Sequence, residues 1–126
     1  AGTINLCPMF FDISISSQAS VMMHEVRHFD GHAHVTCSQG NEIGIGGACD
    51  VAIGNKGAYA VGVQTLVGMA RAASTNPMEK PLLEAEAVYT AFNKFNAVPQ
   101  VKMNNSIILS NSLSEVYRWS FAKGLE

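Results

Sequence analysis

Two histidines and a glutamate that could act together on a metal lie in the run His24-Glu-Val-Arg-His28. Apolar residues recur at three- and four-residue spacing from Ala19 to Phe29, which predicts an amphipathic helix over about residues 17–29. Residues four apart on a helix lie on one face, so both imidazoles can bind one zinc ion at about 2.0–2.1 Å. Glu25 would then lie beside the metal, where a carboxylate can take a proton from a bound water.

A third ligand is available in the residues that follow this predicted helix. Gly31 is expected to end the helix in the left-handed conformation, and the resulting turn lets His34 come back to the ion. The run from His24 to His34 satisfies the pattern H-E-x-x-H-x-x-G-x-x-H at every fixed position.

This eleven-residue pattern resembles the metzincin clan of zinc peptidases. The resemblance implies a small zincin-like domain that binds one Zn2+ through His24, His28 and His34. It also implies hydrolysis of peptide or protein substrates with Glu25 as the general base, as an endopeptidase rather than an exopeptidase. The clan has a methionine-bearing turn under the metal, for which the candidates are Met78 in Asn76-Pro-Met78, Met69 and Met103.

A second resemblance gives a different third ligand. The run Leu6-Cys-Pro-Met-Phe-Phe11 is similar to the deuterolysin-type aspzincins, in which an aspartate completes the site. Gly47-Ala-Cys-Asp50, followed by Ala58-Tyr59, matches that family's Gly-Thr-x-Asp-x-x-Tyr-Gly segment loosely. It lacks the threonine, and Asp50 lies beyond the family spacing from His28. Asp50 is therefore an alternative to His34 as the third ligand, and His32 is another.

Tyr59 and Asp30 each have a functional and a structural interpretation, and Arg27 has a structural one. The Tyr59 hydroxyl could donate a hydrogen bond to a tetrahedral oxyanion, or the ring could be a half-buried packing group. Asp30 could orient a ligand imidazole or be a solvated carboxylate. Arg27 is expected to face away from the ligands and to form a structural ion pair.

The main rival to a peptidase is a non-catalytic metal-binding module or structural zinc protein. Four histidines within eleven residues could hold zinc, copper or nickel, and a closed four-ligand site leaves no position for water. A structural site has no need of Glu25, which favours the catalytic interpretation. A further alternative is an interaction protein in which the motif is incidental and binds no metal.

Composition limits the remaining possibilities. The chain has 126 residues, 48% of them hydrophobic and 14% charged, with a net charge of -2. This predicts one domain over residues 1–126, as it stands or as a fragment or mature form of a longer chain. Lysines and arginines form no cluster, which argues against a nucleic-acid partner, and no apolar run approaches the roughly 20 residues of a membrane span.

Cys37 and Cys49 bracket a polar, glycine-rich segment, and we expect them to form a disulfide. Such a bond favours an exported protein, secreted or periplasmic, while two free thiols in a cytosolic protein are the alternative. Cys7 has no evident partner and would be buried, free or paired outside this chain.

Hydropathy patterns predict an α+β fold with an active-site helix, two further helices and a small sheet. The helices are expected over about 17–29, 58–73 and 81–95, with a helical tail over 113–121. Residues 3–9 are expected to form an edge strand beside the substrate, if the zincin geometry holds. Residues 101–103 and 106–109 could pair across a turn. Residues 32–58 are expected to form a long loop that could include a short strand, and its part from 38 to 57 could form a rim of the cleft.

Overall fold

The structure is a computed structural model that describes residues 2–38, 47–72, 74–103 and 107–110. The described residues form three α-helices: α1, Ile15–Phe29; α2, Ala58–Arg71; and α3, Lys80–Asn93. They also form five short strands: β1, Val35–Thr36; β2, Ala48–Ala52; β3, Phe95–Ala97; β4, Gln100–Met103; and β5, Ile107–Ser110. The expected α+β class is therefore confirmed. The expected tail helix over 113–121 and residues 39–46 of the expected loop over 32–58 lie outside the described residues, and the described part of that loop includes β1 and β2.

Helix α1 has a polar start and a glycine stop. The Ser14 side chain accepts a hydrogen bond from the backbone N–H of Ser17 at 3.1 Å, so it caps the first turn. After Phe29 the chain turns at Gly31, whose φ of +88° is strained for residues with a side chain. The predicted glycine stop is confirmed, and the helix begins two residues earlier than expected.

Helix α2 lies between α1 and α3 and forms most of the core. Its buried face includes Val63, Leu66 and Val67, as expected for a helix that is apolar on most faces. On the α1 side, the Ser20 hydroxyl donates to the Gly62 carbonyl at 3.0 Å. A Cβ on Gly62 would lie 3.4 Å from that hydroxyl oxygen, so the glycine allows the two helices to pack closely. On the other side, Leu83, Ala87 and Ala91 of α3 complete the core.

The sheet at one end of these helices has the order β1-β2-β3. Strand β2 pairs antiparallel with β1, with Val35 opposite Cys49, and parallel with β3, with Asp50 opposite Phe95. The Asn96 side chain donates to the Thr36 carbonyl at 3.0 Å and accepts from the Ser38 N–H at 2.7 Å. It therefore links β3 to the chain around β1.

Two expectations about strands and one about a helix boundary have different outcomes. The hairpin is confirmed, since β4 pairs antiparallel with β5. The expected edge strand over residues 3–9 is wrong, because no described strand pairs with it and Pro8–Asp12 forms a 3-10 turn. The helix expected over 81–95 ends at Asn93, two residues earlier than predicted, because Phe95 belongs to β3, where it is fully buried.

The Cys37–Cys49 disulfide is confirmed, and it ties the end of β1 to β2. Both half-cystines are buried, whereas Cys7 is exposed and free. Within the described ranges, no helix is both long and apolar enough to cross a lipid bilayer.

We expect Cys37→Ala/Cys49→Ala to lower the free energy of unfolding by about 3 kcal/mol, since an unlinked chain gains conformational entropy when it unfolds. Urea unfolding followed by circular dichroism measures the difference. Cys7→Ala is the matched control, because this thiol is exposed and unpaired. Equal stability of the double variant and the wild type would show that the bond does not constrain the chain.

Candidate metal centre

Three imidazoles converge beside the start of α2. The Nε2 atom of His24 lies 3.2 Å from Nε2 of His28 and 3.0 Å from Nε2 of His34. Helix α1 supplies the first two at one-turn spacing, and the turn at Gly31 brings back the third. All three side chains are half-buried, and their nitrogens form the group of potential metal ligands that the described residues contain.

These distances fit a single transition-metal ion. Nitrogens that bind a tetrahedral zinc at about 2.05 Å lie about 3.3 Å from one another. Three unprotonated nitrogens that face one point repel each other through their lone pairs, and a cation at that point turns the repulsion into attraction. The donor set is therefore suited to an ion that accepts imidazole ligands, such as zinc, copper, nickel or iron.

Hydrogen bonds at Nδ1 hold the Nε2 atoms of His28 and His34 toward the common point. His28 Nδ1 donates to the backbone carbonyl of His32 at 2.6 Å, and His34 Nδ1 donates to Oδ1 of Asp50 at 3.0 Å. His24 forms a hydrogen bond with the backbone of Ala58. A proton held on Nδ1 leaves Nε2 with its lone pair, which is the tautomer that a metal ligand needs.

The surroundings also keep His24 neutral. Its pKa is lowered from 6.5 to about 4, first by burial and then by the neighbouring His34 and His28, with a smaller effect of Lys94; the hydrogen bond to Ala58 opposes the shift. An imidazole with this pKa is unprotonated at neutral pH, so no proton competes with a metal for its Nε2.

Asp50 supports His34 from the side away from the cluster. The carboxylate is only 5% exposed, and its Oδ2 accepts the backbone N–H groups of Tyr59 and Ala60 at 2.9 and 3.2 Å. These groups belong to the first turn of α2, where unpaired donors favour a negative charge. A Cβ on Gly57 would lie 2.5 Å from Oδ2, so the carboxylate occupies the space that a side chain would need.

Asp50 thus contacts Nδ1 of His34 rather than joining the three Nε2 atoms, and it is not part of the group of potential ligands. Sequence reasoning considered Asp50 only as a ligand and missed this supporting position. No local sequence signal marks this position, because Asp50 lies nine residues before Tyr59 and 16 residues after His34.

Tyr59 packs its ring against the cluster. The ring is stacked on His34, with centroids 4.4 Å apart and planes 24° apart, and it meets His24 at 4.6 Å. The ammonium of Lys94 lies 5.3 Å from the centre of the Tyr59 ring. Position in the first turn of α2 therefore brings Tyr59 to the histidines, and its ring restricts the orientation of two of them.

Glu25 borders two clefts, one on each side. The first lies where the three helices meet and also includes His24 and Tyr59 in its lining. The second is bounded by the N-terminal segment Thr3–Cys7 together with Phe10 and Val21. The N-terminal segment therefore lies on the other side of this cleft from Glu25, although it is not the strand that was expected.

Two neighbours of the histidines have other partners. The His32 side chain places Nε2 3.1 Å from Nη2 of Arg27 and does not belong to the ligand group. Arg27 forms the expected ion pair, with Asp30 at 3.3 Å, and its Nε donates to the Lys56 carbonyl at 2.8 Å. Asp30 is exposed and paired with Arg27, so it does not take the orienting role that was one of its two interpretations.

Met78 and Met69, the two candidates whose side chains the structure describes, do not form the turn that the metzincin resemblance implies. Met78 is 80% exposed, which is incompatible with a position under the histidines. Met69 packs against the core and lies ten residues beyond Tyr59 on α2, or about 15 Å along the helix axis. The Met103 side chain lies outside what the structure describes.

Comparison with protein families, with curated proteins and with solved structures finds no match. The likeness to zinc peptidases therefore depends on the eleven-residue pattern.

We expect Asp50→Asn to weaken metal binding about 10- to 100-fold, because the supporting charge behind His34 is lost. Titration of metal-free protein with zinc in the presence of a chelating indicator measures the affinity. Asp30→Asn is the matched control, since Asp30 lies two residues after His28 in sequence but its side chain is exposed and paired with Arg27.

Because Asp50 also holds the first turn of α2, the unfolding of both variants is measured alongside. A folded Asp50→Asn protein with wild-type affinity would show that the carboxylate does not support the site.

Proposed function

We propose that this protein is a zinc-dependent peptidase whose metal is held by His24, His28 and His34. The observation that carries the proposal is an open ligand set: three imidazoles converge, and no fourth side chain of the described residues joins them. Structural zinc sites are closed by four protein ligands, whereas catalytic sites use three and leave a position for water or substrate. The same observation argues against the non-catalytic metal module as the alternative.

The choice of zinc rests on the sequence pattern, since imidazole also suits copper, nickel and iron. Zinc bound to three imidazoles supplies a water of lowered pKa and a Lewis acid for the substrate carbonyl.

Glu25 is the proposed general base. It follows His24 directly on α1 and borders both clefts, so a substrate in either cleft passes this carboxylate. It accepts one proton from the attacking water, whose oxygen bonds to the carbonyl carbon of the peptide. It then gives that proton to the amide nitrogen as the C–N bond breaks, which releases an amine and a carboxylic acid, and the acid loses its remaining proton to solvent.

Tyr59 has two proposed contributions. Its ring holds His34 and His24 in orientation, and its hydroxyl donates a hydrogen bond to the developing oxyanion. Tyr59→Phe separates them, because the ring remains. If the variant keeps both zinc and full activity, the hydroxyl has no catalytic part.

The disulfide is compatible with an oxidising compartment. We therefore propose a secreted or periplasmic location, which fractionation of the native source would test.

We expect Glu25→Gln to keep zinc and to lower the rate of peptide hydrolysis by about 100- to 10,000-fold, since an amide cannot act as the base. Cleavage of a mixed peptide library by the zinc-loaded protein, followed by mass spectrometry, measures the rate.

Glu79→Gln is the matched control, because Glu79 lies at the start of α3 and borders neither cleft. Wild-type activity in Glu25→Gln would remove this residue from the mechanism. A wild-type protein that binds zinc but cleaves no peptide would favour the non-catalytic alternative.

A further inference from the structure

The cleft between α1, α2 and α3, called here the three-helix cleft, continues from the metal centre along the helices. His24, Glu25 and Tyr59 form one end of it, and its volume is about 230 Å³. Pockets that take a whole small-molecule ligand are typically larger, at about 300–1,000 Å³. The size suits one side chain of a longer substrate whose backbone lies at the metal centre.

The middle of the three-helix cleft is apolar. Val21 of α1 and Leu66 of α2 line it, and Gly62 adds no side chain to this part of the lining. The Ser20 hydroxyl, which also lines it, already donates to the Gly62 carbonyl. This stretch therefore favours a hydrocarbon stem over a polar group.

The α3 side of the cleft carries a negative charge. Glu86 and Thr90 line it, and Oε2 of Glu86 accepts a hydrogen bond from the Ser17 hydroxyl at 2.9 Å, which bridges α3 to α1. The Thr90 hydroxyl donates to the backbone carbonyl of Glu86, one turn earlier on the same helix. No lysine or arginine belongs to the lining that the described residues provide, and Lys94 lies over the Tyr59 ring at the opposite end.

We propose that the three-helix cleft binds a lysine or arginine side chain of the peptide substrate next to the bond that is cleaved, with Glu86 as its counter-charge. The inference rests on the proposed function, because it assumes a peptide at the metal centre. Lysine and arginine combine an aliphatic stem with a terminal cation, so the stem packs on Val21 and Leu66 while the cation meets the carboxylate. An acidic side chain would face Glu86 with a like charge.

Binding of two peptides tests this inference without turnover. The peptides are identical except at two central positions, which are both lysine in one peptide and both leucine in the other. The protein is zinc-loaded Glu25→Gln, so that the peptides stay intact, and fluorescence anisotropy gives the dissociation constants. We expect the lysine peptide to bind about fivefold more tightly, a modest factor because Glu86 is exposed to solvent.

In the same Glu25→Gln background, Glu86→Gln should abolish the preference for the lysine peptide. Glu86→Lys should instead favour a peptide with glutamate at the same two positions. Glu79→Gln, two turns earlier on α3 and outside the cleft, should keep the lysine preference. Equal binding of both peptides, no binding of either, or a preference that survives Glu86→Lys would overturn the inference.

Hydrolysis of the same peptides by the wild type separates the two proposals. Cleavage without a Glu86-dependent preference for lysine would contradict the cleft assignment and leave the peptidase proposal intact. A Glu86-dependent preference in binding, without cleavage of any peptide, would support the cleft as a binding site and contradict the peptidase.

Discussion

The carboxylate of Asp50 joins three parts of the molecule: strand β2, the first turn of α2 and the segment that carries His34. It lies on β2, accepts two N–H groups from the first turn of α2, and accepts Nδ1–H of His34. A buried charge is tolerated only where it is paired and hydrogen-bonded, and these three donors meet that requirement. The position of His34 at the metal centre and the position of α2 therefore depend on the same group.

Helix α2 in turn positions other residues of the site. Its first turn carries Tyr59, whose ring lies against His34 and His24, and its buried face is the centre of the core. Two glycines make the approach possible, since Gly57 leaves space for the Asp50 carboxylate and Gly62 for Ser20 of α1. His24 and His28 on α1 are thus held against α2 by packing, whereas His34 is held by its hydrogen bond to the Asp50 carboxylate.

Local sequence patterns predicted the parts of this structure that are determined by residues close together in the sequence. The periodicity around His24 and His28 predicted α1, Gly31 predicted its end, and the paired cysteines predicted the disulfide. A short strand was expected within residues 32–58, but the pairing of β2 with β3 was not predicted, because β3 begins at Phe95, 45 residues after Asp50, and no local pattern records such a pairing. For the same reason Asp50 was considered as a ligand rather than as the support of His34.

The central claim is that three histidines, and not Asp50 or His32, hold one metal ion. Metal analysis of protein purified without added metal tests it, with His34→Ala and His32→Ala prepared in parallel. We expect one zinc per chain in the wild type and in His32→Ala, and a large loss in a folded His34→Ala protein. A wild type without metal, or a His34→Ala protein that keeps its full zinc, would contradict the account.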